Sequence, residues 1–279
     1  MTQEKIKAII TDLDGTLLTD DKQVGKLDRL ALEKLGELGI VRVAATGRNL
    51  RISQEVLEPD FPFDYLVFST GSGIYDWKKK KIVQQSGLNR STVDKIVERF
   101  MAERFDFTIH HPIPENYKFF YHRHNNDNHH FNHFVNFYSD FGKPFDPALF
   151  EMENACQILT IMETNVEKYD ELTADFDNVK LVRTTSPFDN KAMWIEVFPE
   201  HISKLAAIQF LKIQHDILPD EIVGIGNDYN DVDFLQAVGH PRVVANAHPD
   251  LLEIYPQVAS NQHCGVYEAI AELIPEIKQ

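Results

Sequence analysis

The run Ala8-Ile9-Ile10-Thr11 leads straight into Asp12-Leu13-Asp14-Gly15-Thr16, so an apolar segment stops abruptly at two carboxylates. An uninterrupted apolar run of this length reads as a strand buried on both faces, the kind found in parallel sheets. Gly15 lets the chain turn away at once. Acids at the carboxyl end of a central strand stand where open α/β sheets bind ligands. Asp12 and Asp14 also repel each other, which implies a cation or a shifted pKa. The competing reading is structural, a helix N-cap beside a turn acid, since Asp is common at both. A calcium loop is excluded. An EF-hand needs Gly at its sixth position and Glu at its twelfth, and counting from Asp12 these are Leu17 and Gln23.

Further segments have the same texture. Leu27, Leu30, Ala31, Leu35 and Leu38 follow a helical period that Gly39 stops, and Ile40 to Ala45 reads as a second buried strand. Strand, helix, strand is a βαβ unit, so the two strand ends lie side by side. Thr46-Gly47-Arg48 therefore emerges beside Asp12 and Asp14, offering a hydroxyl and free amides suited to a phosphate oxygen. Helix capping explains Thr46 equally well on this segment alone. Tyr65 to Ser69 is a third strand, ending in Thr70-Gly71-Ser72-Gly73. This is no dinucleotide fingerprint, because the third glycine position is Asp76. The lysine run after Trp77 reads as a solvated hairpin tip. Ser203 looks like the N-cap of a helix carrying Leu205, Ile208, Phe210 and Leu211. Lys204 near its first turn is unfavourable for the helix dipole, so it needs another reason to be there. Ile222 to Gly226 is another buried strand, and it ends in Asn227-Asp228-Tyr229-Asn230-Asp231.

Between these halves the composition changes. Val93, Ile96, Val97, Phe100 and Met101 form an amphipathic helix. Asn116 to His124 alternates, with Tyr117, Phe119 and Tyr121 on one face and Phe120, His122 and His124 on the other. Cys156 to Met162 and Val179 to Arg183 read as strands, and Ala192 to Phe198 as a strand returning to the first half. His129, His130 and His133 lack the acid of a zincin motif and read as an exposed helix face.

The motifs Asp12-Leu13-Asp14-Gly15-Thr16, Ala45-Thr46-Gly47-Arg48, Lys204 and Asn227 to Asp231 occur in order. With them the chain resembles the haloacid dehalogenase (HAD) superfamily, and its Cof-type phosphatases in particular. The resemblance implies an α/β fold: a doubly wound parallel-sheet, Rossmann-like core from residues 1–84 and 191–279. An inserted α/β cap at 85–190 would set substrate specificity. It implies Asp12 as nucleophile and Asp14 as an acid/base that starts protonated, with Lys204 against the phosphoryl group. Thr46, Gly47, Arg48 and Asn230 would bind substrate, and Arg48 has a second reading as a partner of the cap. Mg²⁺ would sit on Asp12, the Asp14 carbonyl and the fourth motif, where Asp231 would orient Lys204 or a metal water. That motif departs from the family pattern: Asn227 stands where a metal-binding Asp is usual, with Asp228 beside it. Thr70 is a second departure, since the family usually carries Asn there. In the cap, His122, Arg123, His124 and Arg183 are candidates to touch substrate, with ordinary surface positions as the competing reading.

The expected activity is Mg²⁺-dependent hydrolysis of a small phosphorylated metabolite, a sugar phosphate or phosphorylated cofactor, through an aspartyl-phosphate. A phosphomutase with the same intermediate and a non-catalytic phosphometabolite-binding protein are the alternatives. Composition narrows the partners. A formal charge of −15, from 43 acids against 28 Lys and Arg, disfavours nucleic-acid binding. Two cysteines without a C-x-x-C favour a reducing compartment. No signal core precedes the first strand and no stretch nears the roughly 18 apolar residues of a membrane span. The expectation is a cytoplasmic protein with no membrane partner and no obligate protein partner.

Overall fold

The computed structural model describes residues 5–186, 188 and 191–278. The chain divides into two compact units, Met1–Gln84 with Ser203–Gln279, and Gln85–Ile202.

The first unit is built on an eight-stranded sheet with Ala8–Thr11 in its interior. On one side follow Val41–Ala45, Tyr65–Phe68, Gly73–Asp76 and Lys81–Gln85; on the other, Ile222–Gly226, His240–Val244 and Gln257–Val258. Ala8–Thr11 pairs in parallel with both of its neighbours. The parallel run spans six strands, and Gly73–Asp76 is the first to pair antiparallel. Chain order therefore reverses between Ala8–Thr11 and Ile222–Gly226. That reversal is the switch point at which an open α/β sheet leaves a crevice beyond its strand ends. Ala8, Ile9, Ile10 and Thr11 are fully buried, and Leu13, Leu17 and Leu18 anchor the loop beyond them. The Trp77 to Lys80 segment is a turn, as the lysine run predicts. Among the described residues no helix is long and apolar enough to cross a membrane.

The second unit has a six-stranded sheet, in the order Val179–Thr185, Ala192–Pro199, Ile158–Glu163, Phe107–His110, Phe119–His122 and Gly142–Pro144. Val93, Ile96 and Phe100 from the helix Arg90–Ala102 and Leu172 from Val166–Asp175 share a core with Phe107, Ile109, Ile158, Ile195 and Val197. Phe131, Phe134 and Val135 of the helix His129–Phe137 form a second cluster with Phe119, Leu159 and Ile161. Period-2 strands thus bury both faces, each against helices.

Two expectations need correction. The strand Ala192–Pro199 does not return to the first unit: it pairs antiparallel with Ile158–Glu163 on one side and Val179–Thr185 on the other. Both of its edges are satisfied in the second sheet, so the return boundary falls at Ser203 rather than at 191. The alternating stretch Asn116 to His124 is strand only over Phe119–His122, because the residues before it form a turn.

Glu196 lies within this sheet with only 9 % of its surface exposed, and its Oε1 accepts a 2.7 Å hydrogen bond from Gln157 Nε2. Burial pushes its pKa up to about 7, with the Gln157 bond opposing. A carboxyl whose folded pKa is raised binds its proton more tightly when folded. Its contribution is neutral below the unfolded pKa and turns unfavourable as pH rises toward the folded value. Glu196→Gln keeps the amide contact and removes the charge. We expect its urea-unfolding stability to match wild type near pH 4.5 and to exceed it by up to about 3 kcal/mol at pH 8. A difference that does not change with pH would contradict this.

Candidate active site

Asp12 follows directly on the first strand, and its amide donates to the Ile225 carbonyl, which ties it to the neighbouring strand (2.9 Å). Lys204 is fully buried. Its Nζ donates to Asp12 Oδ1 at 2.7 Å, to Asp231 Oδ1 at 2.6 Å and to Asn230 Oδ1 at 3.4 Å. Asp231 is fully buried as well, and its Oδ2 accepts the amides of Asn227 (2.8 Å) and Asp228 (3.1 Å). One carboxylate thus fixes the lysine and closes the loop after Gly226. Of the two roles expected for Asp231, the geometry carries the orientation of Lys204.

The electrostatics follow from one cation among several acids. Burial opposes the Lys204 charge, but Asp12 and Asp231 outweigh it and hold the ammonium well above its usual range. Burial raises Asp12, Lys204 lowers it, and Asp231 and Asp14 raise it again, so it is pushed up to about 7. Among the described residues Asp12 Oδ2 accepts no hydrogen bond. Asp12 and Asp231 share the single Lys204 ammonium, and one Asp12 oxygen is left to react or to ligate.

Lys204 is not in the first turn of a helix. The helix proper is Ala206–His215, and Ser203 Oγ accepts the Leu205 amide in the turn before it (3.1 Å). The lysine is placed by that turn, one residue ahead of the N-cap Leu205, and its charge is held by Asp12 and Asp231.

Asp14 departs from expectation. Arg48 grips it in a fork, Nε to Oδ2 at 2.6 Å and Nη2 to Oδ1 at 2.7 Å, and Lys22 Nζ adds a bond to Oδ1 at 3.0 Å. Burial would raise its pKa, but Arg48 and Lys22 outweigh burial and lower it. Asp14 is held here as a carboxylate, not in the protonated form expected for a first proton transfer. The same fork gives Arg48 a partner within the first unit.

Thr46 Oγ1 accepts the Arg48 amide (3.1 Å), whereas the next helix is capped by Asn49, whose side chain accepts the Ile52 amide (3.0 Å). Thr46 is therefore not the helix cap, and Gly47 between them is exposed. Gly15, at φ +71°, is required where it stands, since a Cβ there would lie 2.6 Å from Asn227 Nδ2. Two residues the sequence reading passed over hold this loop. Thr16 Oγ1 donates to Asn227 Oδ1 (3.0 Å), and Asn246 Nδ2 donates to the Gly15 carbonyl (2.8 Å). Thr16 lies inside the first motif and was legible there; Asn246 is distant and carried no local signal.

For a metal, the ends of the two adjacent strands offer hard oxygens: the Asp12 carboxylate, the Asn227 amide oxygen and the Asp228 carboxylate, whose Oδ1 also accepts the Tyr229 amide (2.7 Å). No group of three or more His, Cys, Asp or Glu suited to a metal occurs among the described residues. This set fits Mg²⁺, which uses one or two carboxylates and completes its shell with water and substrate phosphate oxygens. It does not fit a thiolate or imidazole metal.

Of the remaining candidates, His122 and Arg183 belong to the second unit. The His122 ring stacks on Phe107 at 5.1 Å, and burial lowers its pKa against the pull of Asp106. The Arg183 guanidinium lies 5.6 Å from the Tyr169 ring centre. Asp12, Asp14, Thr46, Arg48, Lys204, Asn227, Asp228 and Asn230 all belong to the first unit, at strand ends or in the turns that follow them.

A family model described as haloacid dehalogenase-like hydrolase matches residues 9–270. HMP-PP phosphatase of Cronobacter sakazakii is 24% identical over 272 residues, covering 91% of this chain and 89% of that protein. The 5-amino-6-(5-phospho-D-ribitylamino)uracil phosphatase YcsE of Bacillus subtilis is 35% identical over 71 residues, 25% of this chain and 28% of that protein. The structure of BT1666 from Bacteroides thetaiotaomicron, described among phosphatases of the haloalkanoate (HAD) enzyme superfamily, superposes with a TM-score of 0.82. It is 18% identical and covers 98% of this chain and 96% of its own. At that identity the likeness establishes the fold.

The buried ion group makes a stability prediction. Lys204→Met leaves Asp12 and Asp231 buried without their cation, which costs about 3–5 kcal/mol at pH 7.5. As pH falls to 5 Asp12, whose pKa burial already raises to about 7, takes up a proton and the loss shrinks. Urea unfolding at both pH values checks this, and an equal loss at both would contradict the role given to the lysine charge.

Proposed function

We infer the reaction from one premise and one observation: the chain belongs to the haloacid dehalogenase-like hydrolases, and Asp12 has one oxygen pinned by Lys204 and the other open. This phosphatase hydrolyses a small phosphorylated metabolite through a phosphoryl-Asp12 intermediate.

The obstacle is charge, because a phosphate ester resists attack by an anion. Lys204 stands beside Asp12 Oδ1 and neutralises phosphoryl oxygens that approach it. Thr46, which has a hydroxyl hydrogen to give, and the Gly47 amide bind equatorial oxygens, with Asn230 on the far side of Lys204. Asp12 Oδ2 attacks phosphorus in line, the P–O bond to the leaving group breaks, and the phosphoryl group moves to Asp12. Released from Arg48 and Lys22, Asp14 takes up a proton from solvent and gives it to the leaving oxygen. Its ionised form, the one held here, then takes a proton from the water that hydrolyses phosphoryl-Asp12. Asp12, the Asp14 carbonyl, Asn227 and Asp228 would hold Mg²⁺, which when bound offsets the negative charge of the centre and of the phosphate.

The second unit, Gln85–Ile202, is the cap in this reading and selects the leaving group. One relative is named an HMP-PP phosphatase, another a phosphatase of 5-amino-6-(5-phospho-D-ribitylamino)uracil. Both names fit the reading of a small phosphorylated metabolite, a sugar phosphate or phosphorylated cofactor, as the substrate.

Phosphate release from a panel of such metabolites, with and without Mg²⁺, tests the proposal. Wild type releases phosphate only with Mg²⁺, and Asp12→Asn falls by at least about a thousandfold. Release that persists undiminished in Asp12→Asn would overturn the assignment. Turnover without net phosphate release would indicate a mutase.

A further inference from the structure

The strand Tyr65–Phe68 lies two places from the first strand, on the side away from Asn227. The turn after it opens at the same sheet edge as Asp12 and Thr46. Its backbone is unusual, with Ser69 at φ +49°, Thr70 at φ +57° and Gly71 at φ +109°. Glycine adopts such angles freely, and Asn often does. For a β-branched residue the left-handed region is a real outlier. Asn or Gly would make this turn without strain.

The surroundings leave the turn no alternative. The Ser69 amide donates to the Arg48 carbonyl (2.8 Å), and the Thr70 amide donates to the Thr46 carbonyl (3.0 Å). On its other side a Cβ at Gly71 would lie 2.1 Å from the Ser203 carbonyl oxygen, one residue before Lys204. The turn is wedged between the Thr46–Arg48 segment and the lysine.

The threonine hydroxyl gains nothing inside the protein. Among the described residues it has no hydrogen-bond partner, and it is not among the buried polar atoms sealed from solvent. A Cβ placed on Gly47 would stand 3.8 Å from Thr70 Oγ1, so the hydroxyl borders the exposed glycine of the phosphate-binding turn. Strain that persists where the surroundings over-determine it clusters at ligand-binding sites.

We propose that Thr70 is a further phosphoryl-binding residue: its hydroxyl donates to an oxyanion seated at the Thr46–Gly47 turn. This rests on the phosphatase reading and adds to it one donor at the position where this chain departs from the family pattern. The oxyanion is tetrahedral and doubly charged near neutral pH, so the bond is charge-assisted and stronger than a neutral one.

The experiment is calorimetric titration of the whole protein with inorganic phosphate and Mg²⁺, beside urea unfolding of the same samples. Thr70→Val keeps the shape and removes the hydroxyl, Thr70→Ser keeps the hydroxyl, and Thr70→Gly removes both hydroxyl and strain. We expect Thr70→Val to bind phosphate about tenfold more weakly with an unchanged unfolding midpoint. Thr70→Ser stays within about twofold of wild type. Thr70→Gly raises the midpoint yet binds as weakly as the valine variant. A purely structural threonine would move stability and leave phosphate binding alone. Wild-type binding that is unchanged in Thr70→Val overturns this proposal by itself. A wild type that neither binds nor releases phosphate overturns the phosphatase reading and this proposal together.

Discussion

Lys204 sits without solvent between two carboxylates, and each of the three groups needs the others. Removing an ammonium ion from water is expensive, and only close, well-formed ion pairs offset it. Asp231 provides one pair and spends its second oxygen on the amides of Asn227 and Asp228. Asp12 provides the other pair and keeps one oxygen back. The asymmetry between the two acids separates their tasks. Asp231 is saturated and positions Lys204; Asp12 is half-saturated, as the proposed attack requires. The same charge relation links the fold to the proposed chemistry, because two carboxylates that share one ammonium suit a cation and a phosphate arriving together.

The sheet makes this meeting of distant residues simple. Asp12 and Asp231 are far apart in sequence, yet they follow adjacent parallel strands whose register is fixed by backbone pairing. At the point where strand order reverses, the segments leaving those two strands part and open a crevice. Arg42 supports the edge of this arrangement. It is buried and forked onto Asp64, 2.9 Å from Nε to Oδ2 and 3.0 Å from Nη2 to Oδ1. That ties the Val41–Ala45 strand to the segment before Tyr65. The Thr46–Arg48 turn, to which phosphate binding is ascribed in the proposal, therefore stands on a tied strand pair, as precise positioning requires.

Much of this was legible from local pattern. The apolar run ending in Asp12-Leu13-Asp14 has one sensible reading as a buried strand, and Gly15 marks the turn that Asn227 enforces. Lys204 was conspicuous because it appeared to oppose its helix, although the structure places it in the turn ahead of that helix. Three features were not legible, each because it depends on contacts distant in sequence. The ionised state of Asp14 depends on Arg48 and Lys22 reaching it together. The place of Ala192–Pro199 depends on two partner strands whose pairing leaves no trace in its own alternation. The left-handed Thr70 is set by backbone bonds to Thr46 and the crowding of Gly71 on Ser203, while threonine itself predicts the opposite.

The proposed chemistry turns on the transfer of the phosphoryl group to Asp12 Oδ2. The most direct measurement is acid-quenched mass spectrometry of the enzyme during turnover, with proteolysis to locate the modification. One added phosphoryl group is expected on the peptide containing Asp12, hydroxylamine-labile as an acyl phosphate is, and absent from Asp12→Asn. A phosphoryl group found on another residue during steady turnover, or turnover with none on the enzyme under conditions that preserve acyl phosphates, would contradict it.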